Sequence, residues 1–111
     1  MLARVNSTRH DLTSCLALAG ESANRQLIVQ EPGLTMVYLS MAPGQGMPVH
    51  NHPGCTVAIQ GMHGESTVLL DGEKYPLAPL QLLTFSGELS VSPRNESEAA
   101  AAVLITLSET P

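Results

Sequence analysis

Two histidines one residue apart stand between turn-forming residues in the stretch Gly44-Gln-Gly-Met-Pro-Val-His50-Asn-His52-Pro-Gly-Cys-Thr-Val57. Side chains alternate across a β-strand, so residues i and i+2 leave the same face. In an extended chain, His50 and His52 therefore project together. Neutral imidazole is a common ligand for Fe, Zn, Ni and Cu. The pair is thus a candidate start of a divalent-metal site, and Met47 is close enough in sequence to line a pocket beside it.

The rest of the chain is typical of an all-β protein. After residue 24, short apolar segments alternate with turns rich in Gly, Pro, Asn and Asp, and no long helical period occurs. The pattern predicts strands over 25–30, 34–41, 47–52, 56–60, 65–70, 74–77, 80–85, 89–91 and 99–107, with a turn at 93–97. Such closely spaced strands are typical of a sandwich or barrel. Residues 11–20 fit either a short helix or a strand, because so short a run does not separate the two periods.

The length of 111 residues fits one domain, which we divide into an N-terminal arm (1–24) and a barrel (25–107). Hydrophobic residues make up 43% of the chain and aromatic residues only 3%, so the core must be built mainly from aliphatic side chains. The net charge is −5 with only five Lys and Arg. This balance argues against a nucleic-acid or anionic-membrane partner, because either requires a basic patch.

The chain also carries the features of a cytoplasmic protein. Cys15 and Cys55 do not make a disulfide-stapled scaffold, and we interpret them as reduced thiols, although a single disulfide between them is left open. The N-terminus has no apolar stretch of signal-peptide type. The longest apolar run, 99–107, is far shorter than the ~20 residues of a membrane-spanning helix.

The central stretch resembles the first motif of the cupin superfamily: Gly44, five residues, His50-Asn-His52, and Gly64 closing the next strand. The resemblance covers roughly residues 34–107 and implies a double-stranded β-helix, a small jelly roll, usually with a metal in the barrel mouth. The segment from His50 to Val57 is similar to the plant cysteine oxidase and cysteamine dioxygenase branch of thiol dioxygenases. That branch holds Fe(II) with three histidines and lacks the Glu of the general motif, whose position here is Val57.

The third histidine implied by this resemblance is missing, because Ser90 stands where it is expected and no His follows His63. Glu88 lies beside that position and would complete a set of two histidines and one carboxylate. His63 shares a strand face with Val57, but at ~3.3 Å per residue it lies about 20 Å further along. His10, on the N-terminal arm, is a further candidate. All three alternatives remain open, as does a site of only two protein ligands with weak or absent metal.

These features support three hypotheses. The first is a metal-dependent, dioxygenase-like cupin that oxidises a small molecule such as a thiol. The second is a non-catalytic small-molecule-binding or sensing cupin with a degenerate metal site. The third, a sugar isomerase or epimerase, has the least support, because such chemistry needs basic groups and we count only Lys74 and Arg94 near the barrel strands.

We also expect Met47, Val57, Cys55 and Ser90 to line the pocket, and a homodimer to cover the exposed sheet edges.

Overall fold

The computed structural model describes residues 7–17 and 21–110, and these form eight antiparallel strands and no helix. The strands are β1 (Asn24–Glu31), β2 (Leu34–Met41), β3 (Cys55–His63), β4 (Ser66–Leu70), β5 (Glu73–Leu77), β6 (Leu82–Ser86), β7 (Val91–Arg94) and β8 (Ala101–Glu109). Five strands form one sheet in the order β1-β2-β8-β3-β6, and three form a second in the order β5-β4-β7. The all-β prediction is confirmed.

The two faces of the five-stranded sheet have different partners, because directly opposed residues of an antiparallel pair share a face. Leu39 lies opposite Val103, and Val57 lies opposite Leu107 and Phe85. These side chains face the second sheet. Together with residues of β4, β5 and β7 they form the main core, whose buried members are Leu39, Met41, Val57, Ile59, Val68, Leu70, Leu77, Phe85, Val91 and Val103.

Residues 12–16 of the N-terminal arm pack on the opposite face of the five-stranded sheet. Tyr38, Ala102 and Leu104 pack there against Cys15 in a second hydrophobic cluster. The side-chain amide of Gln26 donates to the Cys15 carbonyl at 2.5 Å and fastens the arm to β1. Residues 11–17 contain a turn and neither a helix nor a strand, whereas 18–20 lie outside the described residues. Both cysteines are free thiols.

Two sequence predictions in the site region are wrong in detail. The segment 47–52 does not form a strand; His50 makes an isolated bridge to Val91 of β7, and Gly46, just before the segment, makes another to Arg94. Pro93 lies within β7 and not in a turn. In an antiparallel strand the N–H and C=O of one residue face the same neighbour, and the Pro93 carbonyl accepts from Met47 N at 2.9 Å. The donor that proline lacks therefore falls on the irregular side of β7 and leaves the pairing with β4 intact.

Residues 7–17 and 21–110 contain no helix long and apolar enough to cross a membrane.

Candidate metal and ligand site

The segment before β3 runs beside β7 and carries both histidines. Between its two bridges it has three residues, 47–49, whereas β7 has two, so the segment bulges. Pro48 lies at the centre of this bulge, where it has no N–H to contribute to a ladder. Beyond the bulge the pairing resumes, with His50 N donating to Val91 O at 3.0 Å and Val91 N donating to His50 O at 2.7 Å. The His50 backbone is therefore held at both polar groups.

The imidazole of His50 is oriented by the same bulge. Its Nδ1 lies 2.6 Å from the Pro48 carbonyl oxygen. Because a carbonyl only accepts hydrogen bonds, Nδ1 must carry the proton, and in the neutral ring the lone pair is then on Nε2. A hydrogen bond from the non-ligating nitrogen to a backbone carbonyl is the usual way in which a metal-binding histidine is oriented. The Nε2 atom of His50 thus has its lone pair available to bind a metal ion.

His52 is positioned through a close contact between two loops. Its N–H donates to Gly87 O at 2.7 Å, and Gly87 N–H donates to Cys55 O at 2.7 Å. A Cβ atom at Gly87 would collide with the carbonyl oxygens of His52 and Cys55, so the approach requires glycine. The loop that follows β6 therefore determines where His52 lies.

The two imidazoles are in contact, with ring centroids 4.7 Å apart and an interplanar angle of 86°. The pKa of His52 is lowered from its ordinary value of 6.5, chiefly by burial and further by the nearby charges of His50 and Arg25. At neutral pH His52 is therefore an unprotonated imidazole, which is the state that a metal requires.

Both histidines line one small cavity at the mouth of the barrel, with a volume of about 40 Å³. The cavity opens between the histidine segment and the inner face of the large sheet, and its lining residues are Arg25, Val37, Leu39, Met47, His50, His52, Ile105 and Leu107. A cavity needs roughly 10–15 Å³ on this measure to hold one water. Its enclosed part thus takes about three water-sized groups, far less than a drug-sized ligand requires.

Arg25 was overlooked by the sequence interpretation, which counted only Lys74 and Arg94 as basic residues near the barrel. The structure pairs Arg25 of β1 with Leu39 of β2, whose side chain is buried inside the barrel. Opposed residues share a face, so Arg25 lies on the inner face at the open edge of the sheet. The parity of β1 alone could have suggested this, but only the register with β2 shows which of its faces is interior.

Among the pocket residues expected from the sequence, Met47 lines the cavity. Val57 lies below it, 1% exposed and fully within the core. Cys55 is half-buried and lines a separate surface groove beside the turn at Gly33. Ser90 is exposed, since its neighbour Val91 points into the core and alternation directs Ser90 outward, where its backbone N–H and C=O both form hydrogen bonds with Asp71.

The candidate third ligands lie elsewhere. The Glu88 carboxylate is exposed and accepts a hydrogen bond from Gly54 N at 2.8 Å. His63 is exposed at the far end of β3, eight residues beyond Cys55, which is about 26 Å along an extended strand. His10 lines a surface groove beside the C-terminal half of β1, together with Ile28. Within the described part of the chain, no three His, Cys, Asp or Glu side chains are grouped so that they could hold a metal.

The donor set therefore fits two positions of a metal centre. The imidazoles of His50 and His52 are adjacent and line one cavity, and the remaining positions would have to be filled by water or by a ligand. Imidazole donors suit Fe, Zn, Ni and Cu alike, so the residues do not select one of these ions.

Solved structures share this fold across nearly the whole chain. The protein TT1209 from Thermus thermophilus superposes with a TM-score of 0.85 at 24% identity, covering 93% of this chain and 98% of that one. An RmlC-like cupin from Desulfovibrio desulfuricans gives 0.83 at 20% identity, covering 93% and 97%. A double-stranded β-helix protein from Klebsiella pneumoniae gives 0.83 at 13% identity, covering 94% and 91%.

No protein-family model matches the sequence, and no functionally curated protein matches it at a significant level. The similarity to known proteins is thus one of fold. The protein has the cupin fold, an all-β double-stranded β-helix of RmlC-like type, as the sequence motif around His50 and His52 predicted.

Proposed function

We propose that the protein is a small metal-dependent cupin in which His50 and His52 bind a divalent cation and a small molecule occupies the cavity beside them. One observation carries this proposal: two imidazoles in ring contact line the same cavity, and the Pro48 carbonyl holds the His50 tautomer whose Nε2 is free. A histidine pair with a purely structural role has no need of a cavity or of an oriented free donor.

The activity proposed for this site is oxidation of a small molecule by O₂, with small thiols as the first substrates to assay. The support is the resemblance of the segment from His50 to Val57 to the thiol dioxygenases. A redox-active divalent metal, when bound, would supply the activation of O₂. The chain itself provides two adjacent imidazoles, an apolar wall that limits water, and a cavity that admits only small groups.

Metal content tests the binding part of the proposal. We expect freshly purified wild-type protein to contain a divalent metal that the double variant His50→Ala/His52→Ala loses. The matched control is His63→Ala, since His63 is exposed and remote from the cavity. Equal metal content in all three proteins, or none in the wild type after reconstitution with Fe(II), Zn(II), Ni(II) or Cu(II), would rule out the site.

Oxygen consumption tests the catalytic part. Protein reconstituted with Fe(II) should consume O₂ in the presence of cysteine, cysteamine or 3-mercaptopropionate, and the double variant should not. A protein that binds metal but consumes no O₂ with any of the three would eliminate thiol oxidation and leave the binding function.

The alternative function is a non-catalytic cupin that binds or senses a small molecule. The observation in its favour is that the described residues offer no third protein donor near His50 and His52, whereas catalytic metal sites usually have three. This alternative predicts that the double variant still binds the small molecule with unchanged affinity. A strong loss of binding in the double variant would favour the metal-dependent function.

A further inference from the structure

We infer that the ligand of this cavity is a small carboxylate, with its anionic group bound by Arg25 and its short hydrocarbon chain directed onto the apolar wall. The inference deepens the proposed function and rests on it, because the same cavity contains His50 and His52. It adds a ligand class and a recognition residue that the two histidines do not provide.

The position of Arg25 is the first support. It lies opposite Leu39 near the start of β1, on the inner face of the sheet, and it lines the cavity together with both histidines. Arg25 is nevertheless exposed, so the cation is at the mouth of the cavity and the apolar residues are behind it.

The charge balance is the second support. Among the described residues, Arg25 is the only charged one that lines the cavity, and none of their carboxylates lines it. Within the described residues the Arg25 guanidinium has no ion-pair or hydrogen-bond partner, whereas Lys74 pairs with Glu96 at 3.1 Å. The chain as a whole has a net charge of −5. A cation without a counter-charge at the candidate site is therefore opposite in sign to the molecule as a whole. Guanidinium presents paired N–H donors that match the two oxygens of a carboxylate.

The apolar wall distinguishes a carboxylate from an inorganic anion. Val37 and Leu39 of β2 face the cavity from one strand, and Ile105 and Leu107 of β8 from the next. Phosphate or sulfate would leave this apolar surface uncovered, whereas a short alkyl chain would remove it from water, which is favourable. The enclosed volume of about 40 Å³ limits that chain to a few carbon atoms.

Binding measurements with propionate and its neutral isostere propionamide test the inference. Titration calorimetry of metal-loaded wild-type protein should show propionate binding about ten- to a hundred-fold more tightly than propionamide, as expected for charge-assisted hydrogen bonds. Arg25→Gln should abolish this preference, and Arg25→Lys should retain part of it. The control is Arg94→Gln, which removes a cation of β7 that lines a different groove and should leave the preference unchanged.

The apolar wall is tested separately with chain length. Leu107→Ala should shift the preference from propionate to pentanoate, because it lengthens the cavity. Inorganic phosphate should bind more weakly than propionate to the wild type. Tighter binding of phosphate, or equal binding of propionate and propionamide, would overturn the assignment of the ligand class.

The outcomes separate this inference from the proposed function. Arg25→Gln should keep the wild-type metal content, so a lost propionate preference with intact metal supports both proposals. An unchanged preference in Arg25→Gln, with metal still bound through the histidines, overturns the Arg25 assignment alone. A preference that depends on Arg25 in a wild-type protein that binds no metal overturns the metal site alone.

Discussion

Replacing Gly87 with Ala should destabilise the protein and displace His52. The added Cβ would collide with the carbonyl oxygens of His52 and Cys55, both backbone atoms that move only if the loops separate. Overpacking of this kind costs about 1–3 kcal/mol. Separation of the loops would also weaken the hydrogen bonds from His52 N to Gly87 O and from Gly87 N to Cys55 O, at about 1 kcal/mol each.

The expected net loss is about 2–4 kcal/mol, because Gly→Ala restricts the unfolded chain and returns about 0.4–1 kcal/mol. For a domain of this length the loss corresponds to a decrease in Tm of about 10 °C. Thermal unfolding followed by circular dichroism measures the stability, and metal content after reconstitution measures the position of His52. Both should decrease in Gly87→Ala.

A matched control separates collision from backbone strain. Gly54→Ala has free space for its Cβ but places alanine at a φ of +81°, so it should cost about 1 kcal/mol through strain alone. Gly87→Ala should therefore be the more harmful of the two substitutions. A Gly87→Ala protein as stable as the wild type, with unchanged metal content, would refute the argument that this loop contact positions His52.

Four further predictions concern the rest of the molecule. Asn95→Ala should cost about 3 kcal/mol in urea denaturation, because the buried Asn95 amide donates to Met41 O and Ala99 O at 2.9 and 2.8 Å; a loss under about 1 kcal/mol would contradict this. Leu80→Gly should raise Tm by about 4 °C, since Leu80 is 88% exposed at a φ of +71°, and a decrease would mean that Leu80 makes contacts with another molecule. Burial raises the pKa of the Tyr38 hydroxyl above its ordinary 10.0. The stability that the neutral hydroxyl contributes is therefore complete below pH 10 and decreases as the pH rises above 10. Between pH 9 and about 11, the Tyr38→Phe variant should lose less stability than the wild type. The homodimer expected from the sequence should give twice the chain mass of 11.7 kDa in light scattering, and a monomer at micromolar concentration would exclude it.

The sequence alone was sufficient for the fold because strand alternation and turn chemistry are local properties. Gly, Pro, Asn and Asp divide the chain at short intervals, and the residues between them alternate or are continuously apolar, so the all-β class follows without knowledge of any long-range contact. The sequence also led us to expect that His50 and His52 would project together; their rings are in contact, although the segment that carries them makes isolated bridges and is not a strand. The resemblance of Gly44, the two histidines and Gly64 to the first cupin motif then implied the cupin fold.

The positions of the side chains at the mouth of the barrel depend on the tertiary structure. Pro48 prevents a regular ladder with β7, and the resulting bulge, which alternation does not anticipate, directs the Pro48 carbonyl to His50. Val91, not Ser90, faces the core, and this depends on the pairing of β7 with both β4 and the histidine segment. A one-residue change in register moves a side chain to the opposite face, so the sequence could not determine it.

Arg25 is the clearest example of the difference between what the sequence determines and what the tertiary structure determines. Its identity is plain in the sequence, but its place beside His52 follows from pairings that join β1 to β2 and β2 to β8. The sequence by itself determined the class of fold and the histidine pair, because both depend on neighbours one or two residues apart. Only the tertiary structure decided which cation and which apolar residues share the cavity, because strands distant in sequence bring them together through register.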